Sequence, residues 1–455
     1  MYLLFSFLVV VVAFLLFKKA SLDSNFGILS LNWVSYVFYF ELIMFCFIGA
    51  QLIVYGLDDS FVLEWANVSK YDRLMTWLTV NYVLVELPIG IIIGEALISR
   101  PISTNTLASY KRSTVVSMLH STMLSWLILV TLLVISILFT GLTFVNMKSN
   151  PILSLFLGAS SSELDKARYY ADASSGVLTR IIRINKMLSP IIFLGCYANN
   201  KVFRKKGTNL ITILALINAV FCLFYKLEKA SLPVLAISFL MLESYTNALK
   251  KGTIIKLGTV TVIWLIMMFF ITRGIDNFAE LFSLRNGLLG RILVQQIQGL
   301  TVHFTVFPQQ HNFMGFSNIL GHTIATTLGL SYEASSSRII NEIAFGSRVA
   351  SDTYGVMNTL FTGEAYAAFG YIGIVFSPLV VGMKIGFQYA LFLNLPKNAL
   401  FLALFAFFST NTFITGGFGY FLYNPDKILL LVLLGIVYAY GLALDIATST
   451  TGEEK

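Results

Sequence analysis

Between Glu280 and Glu333 the chain has no aspartate, glutamate or lysine. The same window holds Arg285, Arg291, His303, His311 and His322, which include three of the chain's four histidines. Guanidinium groups meet phosphate oxygens as a planar fork. Two arginines with no carboxylate close in sequence therefore suit an anionic ligand, and Arg285 and Arg291 have the chemistry to clamp a pyrophosphate. Arg338 and Arg348 are weaker candidates, because Glu342 and Asp352 each follow four residues later, at ion-pair spacing on a helix. Arg180 and Arg183, three apart, form a second candidate anion site at the membrane edge. Snorkelling to lipid headgroups explains them as well.

Imidazole titrates near neutral pH, so His303 or His311 could take the proton of a hydroxyl. His311 is favoured because Phe307-Pro308-Gln309-Gln310-His311-Asn312 reads as a polar turn. The spacings of eight and eleven residues between the three histidines match no helical metal pair. Glu364 has two readings. As a carboxylate in a first helical turn it complements the helix dipole. As a buried carboxylate at the membrane face it could accept a proton or hold an arginine. Glu41, Glu86, Glu95 and Glu243 also fall in or near apolar runs, where an ionisable group is by default functional.

The elements that must position these groups are membrane helices. The chain has 455 residues, 57% hydrophobic and only 12% charged. Soluble domains run nearer a quarter charged. The net charge of +8 sits in short loops between apolar runs, a pattern that sets orientation in a membrane rather than binding nucleic acid. Cys46, Cys196 and Cys222 all lie in apolar runs and read as small buried hydrophobes. With roughly 20 apolar residues per span, the reading is an all-α polytopic protein with about eleven transmembrane helices, in a range of about ten to fourteen. They fall near 2–17, 32–56, 74–98, 114–145, 187–200, 208–224, 232–248, 257–272, 360–392, 399–414 and 428–447. The fifth is short and the ninth long, so one long segment could hide a re-entrant turn.

Alternate short loops carry Lys18 and Lys19, then Arg100, Lys111 and Arg112, then Lys201, Arg204, Lys205 and Lys206, then Lys250, Lys251 and Lys256, then Lys397. The positive-inside rule makes that set cytoplasmic. The N-terminus is then outside and the C-terminus inside. Residues 57–73, 146–186 and 273–360 form outer segments. The first reads as a solvated turn, and the basic 176–186 part of the second holds Arg180 and Arg183. The third carries the candidate chemistry. Within it, 284–300 has helical character, with Arg291, Gln295 and Gln298 on one face. No linker or repeat appears, so 1–455 reads as a single domain. There is no phosphate-binding G-x-x-x-x-G-K-[ST], no G-x-S-x-G elbow and no Asp-x-Asp.

At Gly363-Glu364-Ala365-Tyr366-Ala367-Ala368-Phe369-Gly370-Tyr371-Ile372-Gly373 the sequence resembles the Wzy-type polymerases of O-antigen and related surface polysaccharides. Basic inner loops and one large late outer loop are similar over nearly the whole length. The resemblance implies a GT-C-like glycosyltransferase of the bacterial inner membrane, working at the periplasmic face without metal or cofactor. It would polymerise undecaprenyl-pyrophosphate-linked oligosaccharide units, with membrane lipids and a chain-length regulator protein as further partners. Arg291, Arg285, Arg338, Arg348, Arg180 and Arg183 are then the pyrophosphate candidates, and His311 or Glu364 the base. Tyr366, Tyr354 and His303 become candidate sugar contacts. His311-Asn312 is similar to a His-Asn pair in the related O-antigen ligases. A ligase is one alternative. A lipid-linked oligosaccharide flippase without chemistry is the other, although such transporters usually show two related halves and short loops.

Overall fold

The computed structural model describes all residues except 24–26, 99–105, 172–176, 274–276, 286, 318, 330–332, 346–354 and 453–455. The described residues are all-helical, with no strand among them. Among the described residues seven helical stretches are long and apolar enough to cross a membrane: Tyr2–Ala20, Trp33–Tyr55, Lys70–Ala96, Thr122–Val145, Lys251–Thr272, Tyr371–Asn394 and Gly419–Thr448, the last made of a short turn, Gly419–Leu422, and the long helix Pro425–Gly452. Thr208–Phe224, Ser231–Tyr245 and Ala399–Thr410 are shorter apolar helices at expected span positions. The Lys251–Thr272 helix leaves Ile255, Val260, Val262 and Ile263 more than half exposed. Apolar side chains bared in a row along a long helix have no place in water, and they mark a membrane-embedded protein.

Two expected spans differ in extent. The one placed at 187–200 is the second half of Val177–Val202, which is 26 residues long and carries Arg180, Arg183 and Lys186 in its first half. Arg180 and Arg183 share this helix, as their three-residue spacing implies, and both are exposed. The long ninth span is broken: Phe361–Phe369 ends at Gly370, whose φ of +62° is costly for other residues, and Tyr371–Asn394 follows.

By its internal contacts the chain divides into two compact units. The first comprises Met1–Ala108, Ile275–Asn394 and Thr412–Asn424; the second comprises Ser109–Gly274, Leu395–Asn411 and Pro425–Lys455. At the centre of the first unit, Lys70–Ala96 packs along Tyr371–Asn394. Gly90-x-x-x-Gly94 on one helix meets Gly382-x-x-x-Gly386 on the other. A Cβ at Gly94 would lie 2.0 Å from the Met383 carbonyl oxygen, and one at Gly386 would lie 2.0 Å from that of Ile91. Small residues four apart let two backbones touch, which is how helices associate where lipid supplies no hydrophobic drive. Ser69 and Asp72 form a capping box at the start of Lys70–Ala96.

In the second unit, polar side chains join helices across an apolar interior. Asn185 Nδ2 donates to Thr140 Oγ1 at 3.0 Å, Ser136 Oγ to Asn185 Oδ1 at 2.7 Å, and Asn218 Nδ2 to Ser136 Oγ at 2.8 Å. Asp445 accepts the backbone N–H groups of His120 and Ser121, just ahead of Thr122–Val145. All three cysteines are buried.

Candidate functional site

The candidate residues from the first unit lie on short helices between the spanning ones. Leu288–Leu293 carries Arg291, exposed to solvent. Its Nη1 donates to Gln295 Oε1 at 3.1 Å, as their spacing predicts, and Gln295 Nε2 donates to the Arg285 carbonyl at 3.3 Å. The 284–300 stretch is not one helix. It turns after Leu293 and restarts at Gln298–Val306, so Gln298 leaves the Arg291 face and accepts from Ser60 Oγ at 2.8 Å.

Arg285 is neutralised by carboxylates far away in sequence. It meets Asp59 Oδ1 at 3.2 Å and Glu64 Oε2 at 3.1 Å. These hydrogen bonds, that to Glu64 first, raise its pKa further. The 57–73 segment is thus a partner of the candidate site and not just a solvated turn. Within it, Asp58 also pairs with Arg73. Arg338 pairs with Glu342 at 3.1 Å, as expected from their spacing. Arg183 comes within 4.0 Å of Asp426. Arg180 and Arg183 belong to the second unit. Arg348 and Tyr354 lie outside the described residues, as does the side chain of His322.

His303 is fully buried. Its Nδ1 lies 2.7 Å from the Gly299 carbonyl, which can only accept, so Nδ1 carries the proton. Nε2 then accepts from Ser336 Oγ at 3.0 Å. Burial pulls its pKa down to about 4. This histidine is a neutral tie between Gln298–Val306 and the start of Ser336–Ala344, which carries Arg338. Its ring reaches no solvent and both of its nitrogens are bonded, so it is placed as a support for the site rather than as a sugar contact. The ring also packs close behind Gly363, where a Cβ would come within 3.0 Å of Nδ1.

Tyr366 is likewise enclosed. It is 3% exposed, donates to the Phe307 carbonyl at 3.1 Å and packs its ring against Phe304, Phe313 and Tyr371. It holds the turn that bears His311 and offers no open face for stacking. His311 is the accessible histidine of the turn, its side chain 34% exposed. Nδ1 donates to the Asn312 carbonyl at 2.9 Å, and Nε2 faces Glu333 at 3.8 Å.

Glu364 sits in the first turn of Phe361–Phe369, but its side chain points to another element. Oε2 accepts the Gly419 N–H at 2.7 Å, and Gly417 lies so close that a Cβ there would be 2.6 Å from Oε2. Burial pushes the pKa up, the Gly419 and Phe418 amides pull it back, and the balance is about 7. A buried carboxyl with that affinity can gain or lose a proton near neutrality. Sequence reading missed Asp59, Glu64 and Glu333 as partners, and missed the Gly416-Gly417-Phe418-Gly419 stretch. Its composition was the available signal, because glycine-rich backbone can turn several N–H groups toward one anion.

His303 and Glu364 have opposite linkage to pH. His303 has a folded pKa of about 4 against an ordinary 6.5, so the stability it contributes is complete above 6.5 and lost as pH falls toward 4. Glu364 has about 7 against 4.5, so its contribution is complete below 4.5 and lost as pH rises through 7. Each shift is worth about 3 kcal/mol. Thermal melts of the wild type should therefore change little with pH between 4.5 and 6.5 from these two groups. In Glu364→Gln, stability should climb with pH across that window. A flat Glu364→Gln profile would show that His303 is not held neutral.

Against known protein families, curated proteins and solved structures, the chain has no match. The fold itself defines the class: an all-helical, membrane-embedded protein.

Proposed function

We propose that this chain is a membrane glycosyltransferase that polymerises polyprenyl-pyrophosphate-linked oligosaccharide units into a surface polysaccharide, in the manner of the Wzy-type polymerases. It would lie in the bacterial inner membrane with a GT-C-like fold, and the 273–360 segment would face the periplasm. The observation that carries the reading is the setting of the Gly363–Gly373 stretch. Its first part lies in the separate short helix Phe361–Phe369, ended at Gly370, with its carboxylate buried on backbone amides and its Tyr366 bonded to the turn that bears His311. Arg291 and Arg338, the latter paired with Glu342, are exposed in the same unit.

In this reading the bond between the donor's anomeric carbon and its pyrophosphate oxygen breaks as the acceptor hydroxyl oxygen attacks from the opposite face. Arg291, with Arg338, stabilises charge on the leaving pyrophosphate. His311 or Glu364 takes the hydroxyl proton. His303 and Tyr366 support these groups without touching substrate.

Deleting the gene and running the surface polysaccharide on a gel tests the function. A ladder that collapses to lipid carrying one repeat is the expected result. Complete loss of surface repeats, with lipid-linked units trapped inside, would replace the reading with a flippase. Polymer accumulating on the lipid carrier would replace it with a ligase.

A further inference from the structure

Two charged side chains on spanning helices have no part in the chemistry above. Glu41 lies within Trp33–Tyr55 and is fully buried, and Lys384 lies midway along Tyr371–Asn394. Charges placed in apolar helices are expensive and call for a use. Both bind the same piece of backbone. Glu41 Oε2 accepts the Ile414 N–H at 3.1 Å, and Lys384 Nζ donates to the Phe421 carbonyl. Glu364 takes the Gly419 N–H between those two points. The Phe361 N–H donates to the Ile414 carbonyl at 2.9 Å, and the Phe361 ring lies 5.9 Å from that of Phe421.

The segment so held, Thr412–Asn424, is mostly irregular, with only the short Gly419–Leu422 turn of helix. Buried backbone outside regular structure needs partners for its polar groups. Here ionisable side chains from separate helices supply them. Contact is backbone-close: a Cβ at Gly419 would lie 2.6 Å from the Ile319 carbonyl oxygen.

We propose that Glu41 and Lys384 are positioning residues for Glu364: by fixing Thr412–Asn424 at Ile414 and Phe421, they hold the Gly419 amide against the Glu364 carboxylate and so set its affinity for a proton. The functional weight of this rests on the reading of Glu364 as a proton acceptor of the polymerase. Burial favours the neutral carboxyl, and the amides of Gly419 and Phe418 favour the carboxylate. The elements packed against Phe361–Phe369 carry Tyr371, Lys384 and Tyr389, His303, and Arg338 and Glu342. The held segment adds Tyr420 and Tyr423. Burial and backbone amides, rather than any of these charges, are the causes of the Glu364 shift. Releasing the segment should therefore leave burial less opposed and raise the proton affinity.

The test uses the full chain in lipid nanodiscs, with Lys384→Met and Glu41→Met, each of which removes the anchoring polar atom. Hydrogen exchange should quicken about tenfold or more in peptides covering 412–424 and stay unchanged in Lys70–Ala96. An infrared titration follows the Glu364 carboxyl band, identified by its loss in Glu364→Gln. Its midpoint should rise by roughly one pH unit in both variants. Lys384→Arg, which keeps a cationic donor, should restore most of the wild-type midpoint. Unchanged exchange overturns the proposal, and so does faster exchange with an unmoved midpoint, which would make the anchors structural only. Should Lys384→Met fail to fold, Glu41→Met carries both measurements. Neither needs turnover, so failure of the polymerase reading would appear separately, as wild-type protein that makes no polymer while both measurements behave as expected.

Discussion

Gly94→Leu is expected to leave little folded protein in the membrane fraction, while Gly141→Leu accumulates normally. A Cβ at Gly94 would stand 2.0 Å from the Met383 carbonyl oxygen, and that oxygen belongs to a helix backbone that cannot rotate away. The two helices would have to part along the run where Gly90, Gly94, Gly382 and Gly386 now touch. Overpacking a tight core costs about 1–3 kcal/mol, and forcing two backbones apart costs more than that. Total stability is only about 5–15 kcal/mol, so the loss is a large share. Gly141 has no atom within 4 Å of its Cβ position, so leucine there adds apolar surface to an exposed helix face. Size-exclusion profiles of a fluorescent fusion, followed by thermal melts, separate the two. Equal yields and equal melts would mean that the glycine contact does not hold the first unit together.

Arg291→Ala is expected to abolish long polymer, with a rate loss of about 10²–10³, while insertion and melting stay near wild type. The guanidinium is exposed, so truncating it changes stability within about 0.5 kcal/mol. Its hydrogen bond to Gln295 orients the guanidinium. Arg285→Ala should do less, because Asp59 and Glu64 already balance that charge. The ladder on a polysaccharide gel, read beside a membrane-fraction blot, is the measurement. A normal ladder in Arg291→Ala would remove the leaving-group role from this residue.

Local spacing in the sequence foretold local contacts. Arg338 with Glu342 and Arg291 with Gln295 are four residues apart, and both pairs are bonded. Long apolar runs foretold helices, because a span needs a length that composition displays. What stayed hidden depends on partners brought in from afar. Asp59 and Glu64 reach Arg285 from more than 200 residues away, so a window free of carboxylates in sequence is not free of them in space. The break at Gly370 was masked because apolar residues continue on both sides of it. His303 looked like chemistry by residue type, yet its fate turned on burial beneath Ser336, which no spacing encodes. The start of Val177–Val202 was hidden for the opposite reason: three basic residues on its first turns set that part apart from the apolar run it continues into.

The division into interleaved units also constrains how the chain can be made. Lys70–Ala96 leaves the ribosome long before the helix that fills its glycine face, since Gly94 and Gly386 lie almost 300 residues apart. At about 5–20 residues per second, that face waits on the order of fifteen to sixty seconds for its mate. Meanwhile the residues from Ser109 to Gly274 emerge and belong to the other unit. The nascent first unit must therefore be kept in the bilayer as separate helices, by lipid or by an insertase, and it closes only when Thr412–Asn424 has been synthesised. Chains truncated before that point should be the preferred targets of membrane proteases, whatever their chemistry would have been.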